Sequence, residues 1–231
     1  MALLVQLLTH TPEPDKVAAA AARLCYSSSS IDRLLEQGRE ERATLLAKIL
    51  SLGHYSVLEH VAFTFGIEGI SRACSHQLVR HRIASFSQQS QRYVSHKTQF
   101  AAVVPASIQA RPELLERFNG FLDQAHQVYR ELLDAGIPAE DARFVLPNAA
   151  ETKLVMTMNA RELLHFFNLR CCRRAQWEIR AMATEMLRLV RREAPLLFVD
   201  AGPGCLRGAC PEGVMTCGEA VAVRKEFKEL S

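Results

Sequence analysis

Apolar positions along this chain follow two periods, and the switches between them outline its elements. Leu3 to Leu8 is a short apolar run suited to a buried strand. After Asp15, the alanine-dominated segment from Lys16 to Ser27 predicts a helix whose small side chains permit close packing. The stretch from Ile31 to Leu52 is interrupted at Gly38. Beyond it, from Glu40, Ala43, Leu45, Leu46, Ile49 and Leu52 recur at helical spacing until Gly53 supplies a stop. The period then falls to two: Val61, Phe63, Phe65 and Ile67 alternate with Ala62, Thr64, Gly66 and Glu68, a strand signal. Ser71 is placed to cap a helix reaching about Arg80. Pro112 to Ala135 reads as a long amphipathic helix ended by Gly136, with a second start at Pro138. Lys153 to Met158 reads as another strand, and Asn159 as the N-cap of the helix that follows. Ala175 to Glu193 is the last strong helix, stopped by Pro195. From Gly202 to Ser231 glycine and cysteine interrupt any pattern, and little regular structure is expected. Helices and strands mix without strict alternation, which predicts an α+β fold in a single mixed domain rather than a doubly wound sheet.

Composition narrows the class. With 231 residues, 48% of them hydrophobic and 23% charged, wholesale disorder is excluded and a substantial core is affordable. No run of about 18 apolar residues is present, so no membrane span is expected. The opening residues carry no basic leader and meet Pro12 and Pro14 early, which reads against a signal peptide. Seven cysteines, an odd number, suit a reducing cytoplasm better than a disulfide framework. The net charge of only +3 speaks against a protein that coats nucleic acid.

That charge is unevenly distributed. From Gly69 to Pro112 there is no Asp or Glu, while Arg72, Arg80, Arg82, Arg92, Lys97 and Arg111 give a local +6. A second acid-free stretch, between Glu162 and Glu178, holds Arg170, Arg173 and Arg174. Most charge runs are simply solvated faces. Here, however, arginine dominates lysine and is interleaved with Ser85, Ser87, Gln88, Gln89, Ser90 and Gln91. Planar guanidinium forks beside short polar side chains suit phosphate and planar carbonyl groups.

The stretch from Arg80 to Tyr93, RHRIASFSQQSQRY, resembles the signature of the flavin-dependent thymidylate synthases, the ThyX family. Its centre is Arg-His-Arg, seven residues, then Ser, and Arg80 to Ser90 fits without a gap. Family-like segments flank it in order. They are Ser51 to His60 upstream, then Arg143 to Pro147, Asn159 to Arg170, and Ala175 to Ile179. The resemblance covers about residues 1–200 as a catalytic domain and leaves 201–231 as a Cys/Gly-rich extension. It implies a largely antiparallel central sheet flanked by long helices. It also implies a homotetramer with shared sites that makes dTMP from dUMP. The methylene would come from 5,10-methylenetetrahydrofolate and the hydride from reduced FAD, which NADPH regenerates.

Carried over residue by residue, the resemblance implies FAD contacts from His54, Ser56, Glu59, Arg80, His81, Arg82, Gln88, Asn159, Ala160, Arg161 and His165. It implies dUMP contacts from Gln77, Arg80, Gln88, Gln89, Ser90, Gln91, Arg92, Arg143 and Arg170. Helical spacing independently puts Arg161, His165 and Asn168 on one face. Arg170 instead projects with Leu163, Phe166 and Phe167, where a guanidinium needs an anion or several acceptors to offset its desolvation. The family's matching arginine holds the pyrimidine and favours its N3-ionised form, so Arg170 is the expected catalytic residue. Ser90 is expected to bind ligand rather than act as a nucleophile, since no His–Asp relay stands beside it to activate the hydroxyl.

Several signals point elsewhere or nowhere. Many relatives carry Asn-Glu where this chain has Ser87-Gln88, and the amide keeps hydrogen bonds but loses any acid/base role. The tail spacing, Cys205-x4-Cys210-x6-Cys217, lacks the paired C-x2-C knuckles of ordinary zinc sites and needs a fourth ligand from elsewhere. Reduced thiols and no metal are therefore expected. His54 with Glu59-His60 does not fit H-E-x-x-H, and Gly202 to Gly208 does not fit the dinucleotide fingerprint. The competing reading is a non-catalytic RNA-binding module. Its weakness is that only Phe86, Tyr93 and Phe100 are on hand in the basic stretch to stack on bases.

Overall fold

The computed structural model describes residues 2–94 and 99–230, so Lys97 of the basic stretch lies outside the described residues. Strand β1 (Leu4–His10) is followed by helices α1 (Pro14–Leu24), α2 (Ile31–Leu35) and α3 (Arg39–Leu52). A 3-10 turn (Tyr55–His60) leads into β2 (Ala62–Ser71), α4 (Arg72–Leu78) and β3 (Ala84–Gln88). Then come α5 (Ala106–Gln109), α6 (Pro112–Asp134) and α7 (Ala139–Ala142), β4 (Glu151–Asn159), and α8 (Ala160–Arg170) with α9 (Trp177–Glu193). The four strands form an antiparallel sheet in the order β1-β2-β4-β3, and the fold class is α+β. No helix among the described residues is long and apolar enough to cross a membrane.

Local chemistry accounts for most boundaries. Ser71 accepts from the Cys74 amide and Asn159 from the Glu162 amide, so α4 and α8 begin where their cap residues stand. Gly53 ends α3 at φ 73°, a left-handed conformation that costs glycine little. The start expected at Pro138 is present, with Pro138 as the N-cap of the single turn α7. Strand β3 lies inside the basic signature, where Ser and Gln alternate with Ala and Phe. That composition has weak strand propensity, so β3 owes its existence to pairing with β4.

The chain divides into two compact units. One comprises residues 1–4, 67–80 and 86–155. Here α6 buries Leu122, Ala125 and Tyr129, and Leu122 and Ala125 cluster with Phe100 and Ala150. The other comprises residues 5–66, 81–85 and 156–231. Its core holds Phe63, Phe166, Phe167 and Phe198, the last meeting Phe63 and Phe167 edge-on at 5.6 and 5.9 Å. Asp15 accepts from the Leu196 and Leu197 amides at 3.0 and 3.1 Å, tying the start of α1 to the segment after α9.

The tail, to which the sequence pattern assigns little structure, is folded. Two 3-10 turns (Gly204–Arg207 and Gly213–Met215) precede α10 (Ala220–Glu229), which buries Val223 and Phe227. Arg191 of α9 organises it by donating to the carbonyls of Phe198, Ala201, Phe227 and Leu230. A Cβ at Gly204 would stand 2.7 Å from Pro211 and 2.9 Å from Asn168 Oδ1, so only glycine admits this close approach.

Candidate active site

An open cavity of about 640 Å3 is lined by side chains from the turn after α3, the segment before β3, and α8, together with Arg207. Of the residues expected at FAD, Glu59, Asn159, Arg161 and His165 line it, and Asn168 joins them as the shared helical face predicts. Arg161 Nη1 pairs with Glu59 Oε1 at 2.5 Å, so the two lining side chains are tied to each other. His54 and Ser56 are exposed on the same turn as Glu59 and do not line the cavity. Ala160 is fully buried and its amide donates to Val61 O at 2.7 Å, which is a scaffold role. Arg82 is exposed.

His81, the middle residue of the signature, is the fixed point of a buried network. Its Nδ1 stands 3.1 Å from Glu162 Oε1, and its Nε2 accepts from Arg170 Nε at 3.0 Å. An arginine Nε–H can only donate, so His81 Nε2 offers its lone pair and the ring proton sits on Nδ1, directed at Glu162. Burial pushes the His81 imidazole below the usual histidine range. The Glu162 hydrogen bond opposes that, and the charges of Arg170 and His165 push the same way as burial. The ring is therefore neutral at pH 7, as the tautomer requires. The side chains of His81 and Glu162 are only 4% and 8% exposed, and Phe166 packs edge-on against the imidazole at 4.9 Å. His81, Glu162 and His165 place one donor atom each within 4.8 Å of one another. Because both nitrogens of His81 are engaged by protein, this trio is a hydrogen-bonded network rather than a metal cradle.

The residues expected at dUMP fall mostly in the other unit. Gln88 ends β3 and donates to Thr152 Oγ1 at 3.1 Å, while the Gln89 amide donates to Lys153 O at 3.0 Å. Ser90 and Gln91 form the turn that follows, and Ser90 Oγ accepts from the Arg92 amide at 3.1 Å. No imidazole or carboxylate is bonded to Ser90 among the described residues, consistent with a binding hydroxyl. Arg92 is exposed, pairs with Glu140 at 2.5 Å and lies 5.3 Å from the centre of the Tyr93 ring. Gln77 Nε2 donates weakly to Ala73 O at 3.4 Å, and Arg80 is exposed just beyond α4. Arg143 donates from Nε to Glu140 O at 2.9 Å. Burial, and then the like charge of Arg143, pull the Arg72 guanidinium below its ordinary range. Neither arginine has a carboxylate partner among the described residues.

Sequence reasoning passed over Glu162, Tyr55, Ile83, Arg207 and Arg72 as site residues. Arg72 was counted in the basic stretch, and its pairing with Arg143 depends on tertiary structure. Glu162 had a legible signal, being the N3 acid of a helix capped by Asn159, but that position equally reads as a plain dipole partner.

Residues 6–196 match the family described as thymidylate synthase complementing protein. A flavin-dependent thymidylate synthase of Geobacter sulfurreducens is 62% identical over 229 residues, covering 98% of this chain and 99% of its own. One from Nitratidesulfovibrio vulgaris is 52% identical over 93% of this chain and 94% of its own. One from Clostridium tetani is 45% identical over 98% of both. Similarity of this extent reaches through the signature, the cavity-lining helix and the folded tail alike, and the chain belongs to the ThyX family of flavin-dependent thymidylate synthases.

Proposed function

We propose that this chain converts dUMP to dTMP, drawing the methylene from 5,10-methylenetetrahydrofolate and the hydride from reduced FAD that NADPH regenerates. One observation carries the reading. Arg170, at the position matching the family's uracil-holding arginine, is gripped at Nε by a neutral His81 and has no carboxylate partner among the described residues. A half-buried guanidinium held this way has its charge left over for an anion that a ligand brings. An arginine is too weak an acid to give up its proton, so it stabilises a uracil ionised at N3 rather than protonating it.

The cavity's donor set fits a flavin nucleotide. Arg161, Arg207, His165 and the two asparagines offer donors to phosphate and carbonyl groups, while Tyr55, Ile83 and Leu164 offer apolar faces to a planar ring. When bound, FAD supplies the hydride. Arg72, Arg143 and Arg92 supply cations for the nucleotide phosphate. Residues 1–200 act as the catalytic portion and 201–231 as an extension. The enzyme works in the cytoplasm as a homotetramer whose subunits share sites, and it takes no nucleic acid or membrane as partner.

Anaerobic dUMP-to-dTMP conversion, with each cosubstrate omitted in turn, tests the proposal. Product that requires NADPH and methylenetetrahydrofolate, with flavin absorbance that bleaches on NADPH, supports it. A colourless chain that cannot be loaded with FAD yet binds RNA overturns it.

A further inference from the structure

A smaller cavity, of about 90 Å3, is formed where the tail folds against the end of α8. Ligand pockets for nucleotides or folates occupy roughly 300–1,000 Å3, so this one is sized for an ion. Four cysteines line it: Cys205, Cys210 and Cys217 from the tail, and Cys172 from the residues after α8. Cys172 is the fourth ligand that the tail spacing by itself lacks. All seven cysteines of the chain are free thiols, so none of the four is tied up in a disulfide.

The surrounding structure holds these thiols in place. Arg224 of α10 donates to Cys205 O at 2.8 Å and Gly208 O at 2.6 Å, pinning the first turn of the tail. Arg173, the cation beside the cavity, is paired with Glu219 and Glu226 and so is not a counter-ion for thiolates. Cys205 is buried, while Cys172, Cys210 and Cys217 are partly exposed around the same space. Four sulfurs converging on one small space supply the donor set that a soft dication takes. The tail also buries few apolar side chains, mainly Val223 and Phe227, and segments that poor in core are commonly stapled by a metal. Cys171 makes the contrast. Next in sequence to Cys172, it lies outside this cavity and is almost fully buried.

We propose that Cys172, Cys205, Cys210 and Cys217 form a tetrathiolate zinc site that locks the C-terminal tail onto α8. An all-sulfur tetrahedral donor set selects zinc over hard cations. Each thiol gives up its proton on ligation. No three of the sulfurs lie within 4.8 Å of one another among the described residues, and zinc–sulfur bonds of about 2.3 Å demand closer approach. Ligation therefore draws the Cys210–Cys217 loop inward.

Metal analysis of the full chain purified with zinc present is the test. About one zinc per chain is expected in the parent and in Cys25→Ser, whose thiol is exposed at the end of α1. Cys172→Ser and Cys217→Ser should each lose at least about tenfold in zinc affinity, the scale of losing a metal-site partner. Should those variants fail to fold, the parent still decides. Stripped with a chelator and reloaded with Co2+, it should show the visible bands and near-ultraviolet thiolate charge transfer of tetrahedral cobalt. Zinc should also raise its thermal midpoint. Substoichiometric zinc, zinc retained in the cysteine variants, cobalt spectra without thiolate charge transfer, iron with acid-labile sulfide, or disulfides among the tail thiols would each overturn the proposal.

Discussion

The two arginine-bearing regions of this protein are built on opposite principles. Around His81 the polar groups are buried or half-buried and bonded to one another: Glu162 accepts from His81 Nδ1–H, and Arg170 donates to His81 Nε2. From Ser90 to Tyr93 the groups are partly or fully exposed, and their contacts are local turns and a surface ion pair with Glu140. The first arrangement stores its orientation before any ligand arrives. The second holds charge in readiness and leaves the geometry to the ligand. A buried hydrogen-bonded network loses heavily when one member is removed, whereas an exposed pair loses little. The contrast therefore predicts a gradient of mutational effects.

Arg170→Ala stands at the top of that gradient. On the proposed role, it should cut dTMP formation by about 10²–10³, while NADPH-driven flavin reduction without dUMP continues. Unchanged turnover would show that the buried network is scaffold rather than machinery. Next comes Glu162→Ala, which strips the acceptor from a buried His81 N–H. Chemical denaturation should register a loss of about 1–3 kcal/mol, and Glu162→Gln should recover most of it because the amide oxygen still accepts.

The same network fixes a direction with pH. His81 has a folded-state pKa below its unfolded value of about 6.5, so the unfolded chain binds more protons in between. Stability from this residue is fully present above about pH 6.5 and declines as pH falls toward the folded pKa. Protonation also puts a hydrogen on Nε2 against Arg170 Nε–H, so turnover should fall over the same range. Thermal melts from pH 8 to 5, compared with His81→Asn, check both statements.

In the exposed region, Arg143→Gln should raise the KM for dUMP about tenfold, the scale of one charge-assisted hydrogen bond, with little change in unfolding. At the bottom, Glu140→Ala removes an exposed pair and should shift stability by less than about 1 kcal/mol. An effect on stability as large as that of Glu162→Ala would erase the distinction between the two regions.

Legibility followed the range of the interactions involved. The caps Ser71 and Asn159, the stop at Gly53 and the long amphipathic α6 depend on residues a few positions apart, and they stand where the pattern put them. Strand β3 and helix α10 do not. The first exists through pairing with β4, and the second sits in a tail organised by Arg191, a side chain more than 30 positions from the Phe227 carbonyl it holds. The cavity was legible in part. Arg161, His165 and Asn168 share a helical face by spacing alone, while Tyr55 and Arg207 reach it from segments that no local rule connects.

The amino-acid order alone determined the family, the α+β class, the concentration of arginine in an acid-free stretch, and the residues that carry the signature. All of these are properties of identity and spacing. Only the tertiary structure decided that His81 is a neutral bridge between Glu162 and Arg170, that burial and the charge of Arg143 lower the Arg72 guanidinium, and that Cys172 and three tail cysteines line one cavity. The reason is physical. Protonation state and charge balance depend on burial and on which groups face each other, and the chain settles both only when distant segments pack.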